Sequence, residues 1–288
     1  MSNKTRSAGG TAWRKVARYL LLVALALIML GPFLWMIVTS LESPEVLVQF
    51  PPQFIPRSPR FSNYKEVFGE LPIATFFFNS IKISVLGTIG EVIAASLAAF
   101  AFARMEFRGK RWLFSLLLAT MMVPFQVTMI PVYMIMRWLG WLDSHASLIV
   151  PHFFGGAFAS GAFGVFLLRQ FFESIPKELE DASRIDGASR FRFFTTILLP
   201  LSKPALAVLS LFVFMGIWND LLTPVLFLST EEKMPLTFGL AVLETVQHNF
   251  RYDLLMAGTL MSVAPILILY VFAQRYVTDA FLRAGVKG

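Results

Sequence analysis

Residue types that carry chemistry are sparse in this sequence, and their spacing excludes most catalytic sites. The chain has no cysteine, which excludes disulfides, thiolate metal sites and cysteine nucleophiles. Its histidines, His145, His152 and His248, do not fall at zinc-ligand spacing, so we expect no metal. A GxxxxGK[ST] phosphate loop is missing too, because RGKRW at residues 108–112 lacks the earlier glycine. The sequence therefore predicts that this chain binds no cofactor and does not hydrolyse ATP.

A dense group of charges lies in LEDASRIDGASRFRFFTTILLP, which runs from Leu179 to Pro200 between two apolar segments. Acidic residues open the stretch. Negative charge is favourable at the positive end of a helix dipole, so we predict a helix that begins near Pro176. Gly187 is predicted to end this helix, because glycine adopts the left-handed backbone of a helix stop. The chain then reverses into a second helix.

The first of these helices has two unlike sides. Its apolar side carries Leu179, Ala182 and Ile185, which recur every three residues. On the side predicted to face water, pairs spaced i to i+4 link Lys177 with Asp181 and Glu180 with Arg184. A rigid surface helix of this kind fits a groove in another protein. The alternative is an ordinary amphipathic connector.

Long apolar segments place the chain in a membrane. It has 288 residues, 56% of them hydrophobic and 15% charged, with a mean hydropathy of +0.66. Runs of about 20 apolar residues, enough to cross a hydrocarbon layer of about 30 Å, recur along it. Six spans are predicted, at residues 18–40, 76–103, 112–136, 147–171, 203–228 and 256–277. The predicted fold class is all-α, a polytopic membrane bundle of six transmembrane helices.

The net charge of +7 follows from membrane topology and does not indicate a nucleic-acid partner. Lysines and arginines concentrate at residues 4–18, 104–111, 169–192 and 275–287, whereas the alternate loops hold few. Cytoplasmic loops carry an excess of these residues, so both termini are predicted to be cytoplasmic. Two loops on the opposite side, residues 41–75 and 230–253, are long enough to meet a partner. The first is expected to be extended because of its prolines, and the second to hold a short helix.

Small residues recur every four positions in two of the predicted spans. The stripe in the second span is Gly87, Glu91, Ala95 and Ala99, and that in the fourth is Gly156, Ser160 and Gly164. Such stripes let a neighbouring helix backbone approach closely, so both predict helix packing. Glu91 is therefore expected to face protein or water and not lipid.

Polar residues inside the spans are candidates for binding a hydrophilic molecule within the membrane, because a polar group there is costly. Hydrogen-bonding groups combined with aromatic faces suit a sugar. The candidates are Glu91, Gln126, Trp218, Asn219 and Asp220. For Glu91 a hydrogen-bonded packing role is the alternative, and for Trp218 a packing or membrane-interface role.

The stretch from Asp181 to Pro200 resembles the cytoplasmic signature of permease subunits in ATP-binding-cassette (ABC) importers. In that signature Glu-Ala-Ala is followed three residues later by Gly, and nine residues after that by Ile-x-Leu-Pro. The corresponding residues here are Asp181, Ala182, Ser183, Gly187, Ile197, Leu199 and Pro200. Other segments are similar to the carbohydrate branch of that family, the maltose or multiple-sugar type: RIDGAS, LPLSKPALA, NSI at residues 79–81, WND at residues 218–220, and the closing AGVKG. In the tail, residues 278–280, TDA, stand where the family leads us to expect a glycine-containing turn.

The resemblance implies a type I ABC importer permease fold and a set of partners. These are a second permease subunit that completes a heterodimer, an ABC ATPase dimer that binds ATP and Mg²⁺, an extracytoplasmic solute-binding protein, and the lipid of a prokaryotic inner membrane. It also implies which residues contact the ATPase: Leu179, Asp181, Ala182, Ser183, Ile185, Asp186, Gly187 and Ala188.

On this basis the chain is predicted to be organised in five parts. They are a cytoplasmic tail at 1–17, a first transmembrane helix at 18–40, an extracytoplasmic segment at 41–75, a core permease domain at 76–280 with a coupling loop at 172–200, and a cytoplasmic tail at 281–288.

The expected function is to form, with the second permease, the path for a sugar or sugar-like solute. One alternative is the same machine carrying glycerol phosphate or a polyol, which favours cationic groups, and of these only Lys82 stands within a span. Another is an ion-coupled secondary transporter or channel in which Glu91 and Asp220 relay cations. The second alternative conflicts with the lack of clear halves of inverted symmetry.

Overall fold

A computed structural model describes residues 8–47, 49, 51, 54–155, 160–246 and 251–285 of the chain. Within these ranges the secondary structure is helical and contains no strand, in agreement with the predicted all-α class.

The helices follow one another with short connections. The first seven are α1 (Ala8–Ser40), α2 (Pro44–Leu47), α3 (Ser62–Glu70), α4 (Ile73–Arg104), α5 (Lys110–Thr120), α6 (Phe125–Trp138) and α7 (Ala146–Ile149). A 3₁₀ turn at Val150–Phe154 precedes α8 (Ser160–Ser174), α9 (Glu178–Ile185) and α10 (Arg190–Phe193). A π-helical turn at Phe194–Leu198 leads to α11 (Leu199–Leu201), α12 (Lys203–Trp218) and α13 (Leu222–Phe227). The last elements are a 3₁₀ turn at Glu231–Lys233, α14 (Leu236–Val246) and α15 (Tyr252–Gly285).

Three helices among the described residues are long and apolar enough to cross a membrane: Trp13–Ser40 of α1, the whole of α4, and Tyr252–Tyr276 of α15. Two bent pairs meet the same criterion, α5 with α6 at 100° and Arg190–Leu201 with α12 at 78°, which gives up to five spans. The predicted count of six is not confirmed. Its fourth span, 147–171, is interrupted by the 3₁₀ turn, and residues 156–159 lie outside the described ranges.

Several predicted boundaries differ from the structure. The tail predicted at 1–17 is already helical from Ala8, and the segment 41–75 is not extended throughout, since it contains α2 and α3. Helix α14 is the short helix expected in 230–253. At the other end, α15 continues as a helix through residues 278–280, where a turn was expected.

The fifth predicted span, 203–228, is broken after Trp218 for a local reason. Asp220 turns its side chain back onto the backbone, and its Oδ1 accepts hydrogen bonds from Leu222 N at 3.0 Å and Thr223 N at 3.3 Å. A carboxylate that accepts the first free N–H groups of a helix caps its start. Helix α12 therefore ends at Trp218, and α13 begins after the cap.

Two compact units can be described separately. The first comprises residues 1–70 and 243–261. In it, Asn63 of α3 donates to the carbonyl oxygens of Ser40 at 3.0 Å and Glu42 at 2.8 Å, which fixes α3 to the end of α1. Arg251 bonds Glu66 at 2.9 Å and Asp253 at 3.0 Å, and these two carboxylates raise the pKa of the guanidinium well above its ordinary value.

The second unit comprises residues 71–242 and 262–288 and is built around α4. This helix packs against α8, α12 and the 3₁₀ turn at 150–154. The core between them contains apolar side chains with no solvent exposure, among them Ala95, Ala99, Leu168, Phe172, Leu198 and Leu209.

Close packing along α4 confirms the small-residue stripe predicted for the second span. A Cβ atom placed on Gly87 would lie 2.7 Å from Ile217 Cδ1, and one on Gly90 would clash with the ring of Phe153. Ala95 and Ala99 are fully buried. The neighbouring side chains thus occupy the volume that larger residues on α4 would need.

Gly164 of α8 faces the same stripe, which agrees with the helix packing predicted from its own small-residue pattern. A Cβ on Gly164 would lie 3.0 Å from the Cβ of Ala95 and 3.2 Å from a methyl group of Leu209. Of the other members of that pattern, Gly156 and the side chain of Ser160 lie outside what the structure describes.

Replacing Gly164 with leucine should therefore lower the free energy of unfolding by about 1–3 kcal/mol, because the added carbons overpack the α4–α8 contact. The measurement is thermal or denaturant unfolding of the purified protein in detergent, followed by circular dichroism. Gly216→Leu is the matched control, since a Cβ on Gly216 of α12 meets nothing within 4 Å. Equal losses in the two variants would contradict the packing argument.

Candidate functional site

Helix α9 is the charged helix predicted from the sequence, and one residue of its predicted water-facing side, Glu180, turns inward instead. Glu180 and Ser183 are buried, whereas Leu179, Ala182 and Ile185 are exposed, Leu179 to 41% and Ile185 to 87%. The predicted pair of Glu180 with Arg184 is present at 2.6 Å. The prediction that this pair lies on the water-facing side was wrong for Glu180.

Arg104 explains why Glu180 faces inward. This residue ends α4, its side chain is only 2% exposed, and its Nη1 lies 3.8 Å from Glu180 Oε2. Its Nη2 donates to the carbonyl oxygens of Phe172 at 2.5 Å and Ile175 at 2.6 Å, at the end of α8. A buried guanidinium needs an anion and hydrogen-bond acceptors. The carboxylate of Glu180 therefore turns toward Arg104, and the apolar residues of α9 turn outward.

The turn after α9 has the geometry predicted for it. Gly187 has a φ of +80°, in the left-handed region that disfavours residues with a side chain, and its N–H donates to Arg184 O at 3.0 Å. Ser189 then caps α10, because its Oγ accepts a hydrogen bond from Arg192 N at 3.2 Å. Asp181, Asp186 and Gly187 are exposed and Ala188 is partly exposed, around the same edge of α9.

A cavity of about 300 Å³ lies inside the second unit. Its walls are mainly apolar and include aromatic rings, and its polar groups are few. The apolar lining comprises Ile83, Leu148, Phe163, Phe212, Val213, Ile217 and Pro224. The polar side chains are His152, Asp220 and Thr223. A mostly apolar pocket with a few converging polar groups is the usual form of a small-molecule site.

Glu91 reaches this cavity through His152. Glu91 has no solvent exposure, and its Oε2 accepts a hydrogen bond from His152 Nδ1 at 2.7 Å. The expectation that Glu91 faces protein and not lipid is confirmed. Because one ring nitrogen is fixed by the carboxylate, the orientation of the His152 imidazole beside the cavity is set from α4.

Asp220 is the predicted solute-path residue that lies at the cavity itself. One of its oxygens caps α13, and the other accepts the hydroxyl of Thr223. The cap holds the carboxylate at the break between α12 and α13.

The other predicted solute-path residues lie apart from the cavity lining. Trp218 is buried and its Nε1 donates to Ser262 O at 3.1 Å, which matches the alternative of a packing role. Asn219 donates back to Met215 O at 2.8 Å, and Gln126 is exposed on α6. The substrate-path assignment of these five candidates stays a prediction.

A second polar network, which we call the Asp143 latch, fixes the elements beside the cavity. It consists of Asp143, Ser229, Thr230 and Lys233. Asp143 accepts from the backbone N–H groups of Ser229 and Thr230 at 3.1 and 2.9 Å, and from Lys233 Nζ at 2.7 Å. Its N–H donates to Phe227 O at 2.7 Å, at the end of α13. The Lys233 ammonium and these donors hold the pKa of the Asp143 carboxyl well below its usual range.

The sequence reading missed Arg104, His152 and the Asp143 latch as site residues. In the sequence, Arg104 served only as one of the basic residues that indicate the cytoplasmic side. His152 was considered only as a possible zinc ligand and lacked the spacing for one. Their partners lie 76 and 61 residues away in the chain (180 − 104 and 152 − 91), so no local pattern signals them. The position of Glu91 on a small-residue stripe inside a span was the one available sign of a buried polar contact. His248 lies outside the described residues.

The chain is similar to known membrane transport proteins. It matches the family described as binding-protein-dependent transport system inner membrane component over residues 91–283. It is 34% identical over 236 residues to the arabinooligosaccharides transport system permease protein of Halalkalibacterium halodurans, across 82% of each chain. It is 31% identical over 278 residues to the galactooligosaccharides transport system permease protein of Bacillus subtilis, across 96% of each chain.

The chain is also similar to solved structures of membrane transport proteins. A bacterial ABC transporter involved in the import of the acidic polysaccharide alginate contains a chain that matches with a TM-score of 0.78 and 28% identity, over 96% of this chain and all of that one. A chain of the alginate transporter in complex with an alginate pentasaccharide-bound periplasmic protein has the same fold, with a TM-score of 0.65 and 17% identity over 91% and 95% of the two chains.

The bond between Glu91 and His152 can be tested by two substitutions of different chemistry. Glu91→Leu removes the acceptor and leaves a buried imidazole N–H without a partner, which should cost about 1–3 kcal/mol of unfolding free energy. Glu91→Gln keeps an oxygen acceptor and should cost clearly less. Unfolding of both variants in detergent is the measurement, and a larger loss for Gln than for Leu would contradict the assignment.

The Asp143 latch should give a pH-dependent stability. A carboxyl whose pKa is depressed on folding stabilises the protein above its unfolded pKa of about 3.9, and this stabilisation is lost as the pH falls further toward the folded value. Asp143→Asn should therefore lower the melting temperature at pH 7, and the difference from the native protein should shrink below about pH 4. Glu232→Gln, an exposed carboxylate in the same turn, is the control. The assignment would be contradicted if the melting temperatures of Asp143→Asn and the native protein differed by the same amount from neutral to acid pH.

Proposed function

This chain belongs to the family of binding-protein-dependent transport system inner membrane components, and from that premise we propose that its helix α9 is the contact through which a separate ATPase drives transport. The chain is a multi-pass membrane permease subunit of a sugar ABC importer and not an enzyme. Hydrolysis of ATP, and with it the binding of ATP and Mg²⁺, belongs to the partner ATPase.

The observation that carries the proposal is the exposed apolar stripe of α9. Its apolar residues Leu179, Ala182 and Ile185 are exposed, while its polar Glu180 and Ser183 are satisfied inside. An amphipathic helix that presents an apolar stripe outward fits a groove on another protein. Because Glu180 contacts the buried Arg104 of α4, a force applied to the stripe reaches a membrane helix and is not absorbed by a flexible loop.

The remaining partners follow from the same family. A second permease subunit completes the translocation path as a heterodimer, and a solute-binding protein delivers the solute from outside. The similar alginate transporter was solved with its periplasmic protein, which supports the second partner. The distribution of lysine and arginine supports an orientation with both termini in the cytoplasm of a prokaryotic cell.

The solute is an oligosaccharide or a related sugar, and the cavity is where this subunit contacts it. The relatives' names support the solute class, since they refer to arabinooligosaccharides and galactooligosaccharides. Asp220, Thr223 and His152 supply hydrogen-bonding groups, and Phe163 and Phe212 supply aromatic surface. No lysine or arginine is among the described residues that line the cavity, so a phosphate-bearing solute is not favoured. Because the chain belongs to this family, the alternative of an ion-coupled secondary transporter or channel is excluded.

Substitutions in the coupling helix should separate ATP hydrolysis from uptake. Gly187→Val forces a branched side chain into a left-handed backbone, and Asp181→Lys reverses a charge on the exposed edge of α9. Both variants should insert and assemble, yet transport in reconstituted vesicles should fall by about tenfold or more per ATP hydrolysed. The measurement compares labelled oligosaccharide uptake with phosphate release in the same vesicles.

Gly109 provides a matched control for the glycine variant. It has nearly the same backbone, with a φ of +81°, and also has open space around its Cα, but it precedes α5 and not α10. Gly109→Val carries the same backbone strain outside the coupling helix and should leave the uptake per ATP unchanged. Normal coupling in both Gly187→Val and Asp181→Lys would overturn the assignment of α9.

A further inference from the structure

Arg104 is the residue where three elements of the second unit meet. It is the last residue of α4, it binds the carbonyl oxygens of Phe172 and Ile175 at the end of α8, and it faces Glu180 in the first turn of α9. The guanidinium thus fills the role of a C-terminal cap for α8, where a cation is favourable. One buried side chain fixes α8 and α9 to α4.

Helix α4 connects this junction to the cavity. It runs without a proline from Ile73 to Arg104, and the separation of thirteen positions from Glu91 to Arg104 (104 − 91) corresponds to about 20 Å of helix. About 20 Å along α4 from Arg104, Glu91 accepts a hydrogen bond from His152. Ile83 of the same helix lines the cavity. Close packing of Gly87 against Ile217 and His152 leaves little room for α4 to move without displacing the cavity wall.

Other attachments of α9 are weaker. Arg184 also binds Glu180, but it lies on α9 itself and its side chain is 48% exposed, so this pair stiffens the helix without fixing it to the membrane core. The contact of Arg104 with Glu180 is the buried ionic link from α9 to another helix among the described residues.

We propose that Arg104 is the positioning residue that transmits movement of α9 to α4, and through α4 to the cavity at His152. The inference rests on the proposed function, because it requires an ATPase that moves α9. Arg104 touches neither ATP nor solute. Replacing Arg104 should therefore leave ATP hydrolysis in place. It should abolish the change that ATP binding and hydrolysis cause at the cavity.

The absence of cysteine from the chain allows a clean reporter for that response. Gly216 lines the cavity, and a Cβ there meets nothing within 4 Å, so Gly216→Cys places one thiol at the cavity without a clash. The complete complex, purified with its partner subunits and reconstituted in nanodiscs, is treated with a small water-soluble maleimide. If a partner chain contains cysteine, labelling is read on this chain alone by mass spectrometry. The labelling rate is compared between the ADP state and the state trapped with ATP and vanadate.

In the parent Gly216→Cys complex the two rates should differ by about fivefold or more, the lower end of ordinary allosteric coupling. Adding Arg104→Met should reduce that ratio to nearly one, while ATP hydrolysis stays within about twofold of the parent, a change smaller than that coupling range. Arg184→Met is the matched control, since it removes the exposed partner of Glu180 and leaves Arg104 in place. It should keep the parent's ratio.

The outcomes separate this inference from the proposed function. A parent complex that lacks an ATPase subunit, or whose labelling ignores nucleotide, overturns the proposed function and the inference together. A parent that responds while Arg104→Met responds equally overturns the inference alone. If Arg104→Met fails to assemble, Glu180→Gln is measured instead, because it removes the ionic contact and keeps the bonds from Arg104 to α8. Loss of the ratio in Glu180→Gln supports the inference, and an unchanged ratio overturns it.

Discussion

The close approach of neighbouring helices to α4 is the constraint on which the second unit depends. Apolar side chains gain little by leaving lipid for a protein interior, so helices in a membrane are held by tight packing and by polar contacts. Gly87, Gly90 and Ala95 keep one side of α4 narrow enough for the turn at residues 150–154, for α12 and for α8. Without that narrow side, neither the cavity nor the junction at Arg104 would lie against the same helix.

Polar groups are then placed where the packing is tightest. Glu91 and Arg104 are both nearly inaccessible to solvent, and each has found partners from elements distant in sequence. Burying a polar or charged group without partners is strongly unfavourable, so each of these side chains must keep its partner. Each contact therefore fixes the geometry of two elements at once. One fixes the cavity wall to α4, and the other fixes the coupling helix to α4. The two functional regions thus depend on a single rigid element.

The sequence predicts the local features well and the long-range ones poorly. Gly187 as a helix stop and the small-residue stripe around Glu91 follow from backbone geometry and from a period of four, and both are confirmed. The inward position of Glu180 was not predicted, because an isolated amphipathic helix turns its carboxylates to water unless a buried cation competes for one of them. That cation, Arg104, lies on another helix. The fifth span was predicted as continuous because hydropathy does not register the cap formed by Asp220.

An exposed apolar stripe beside a membrane has two possible occupants, a protein groove or the lipid surface, and the charges of α9 distinguish them. Helices that lie on anionic membranes carry lysine and arginine on their polar side. Helix α9 has three acidic residues in its first turn, Glu178, Glu180 and Asp181, against Arg184 as the one basic residue in its last turn. Such a helix is repelled by an anionic surface, and its exposed carboxylates suit a groove edged with basic groups. The polarity of α9 and the sign of its charge therefore favour a protein partner over lipid for the same stripe.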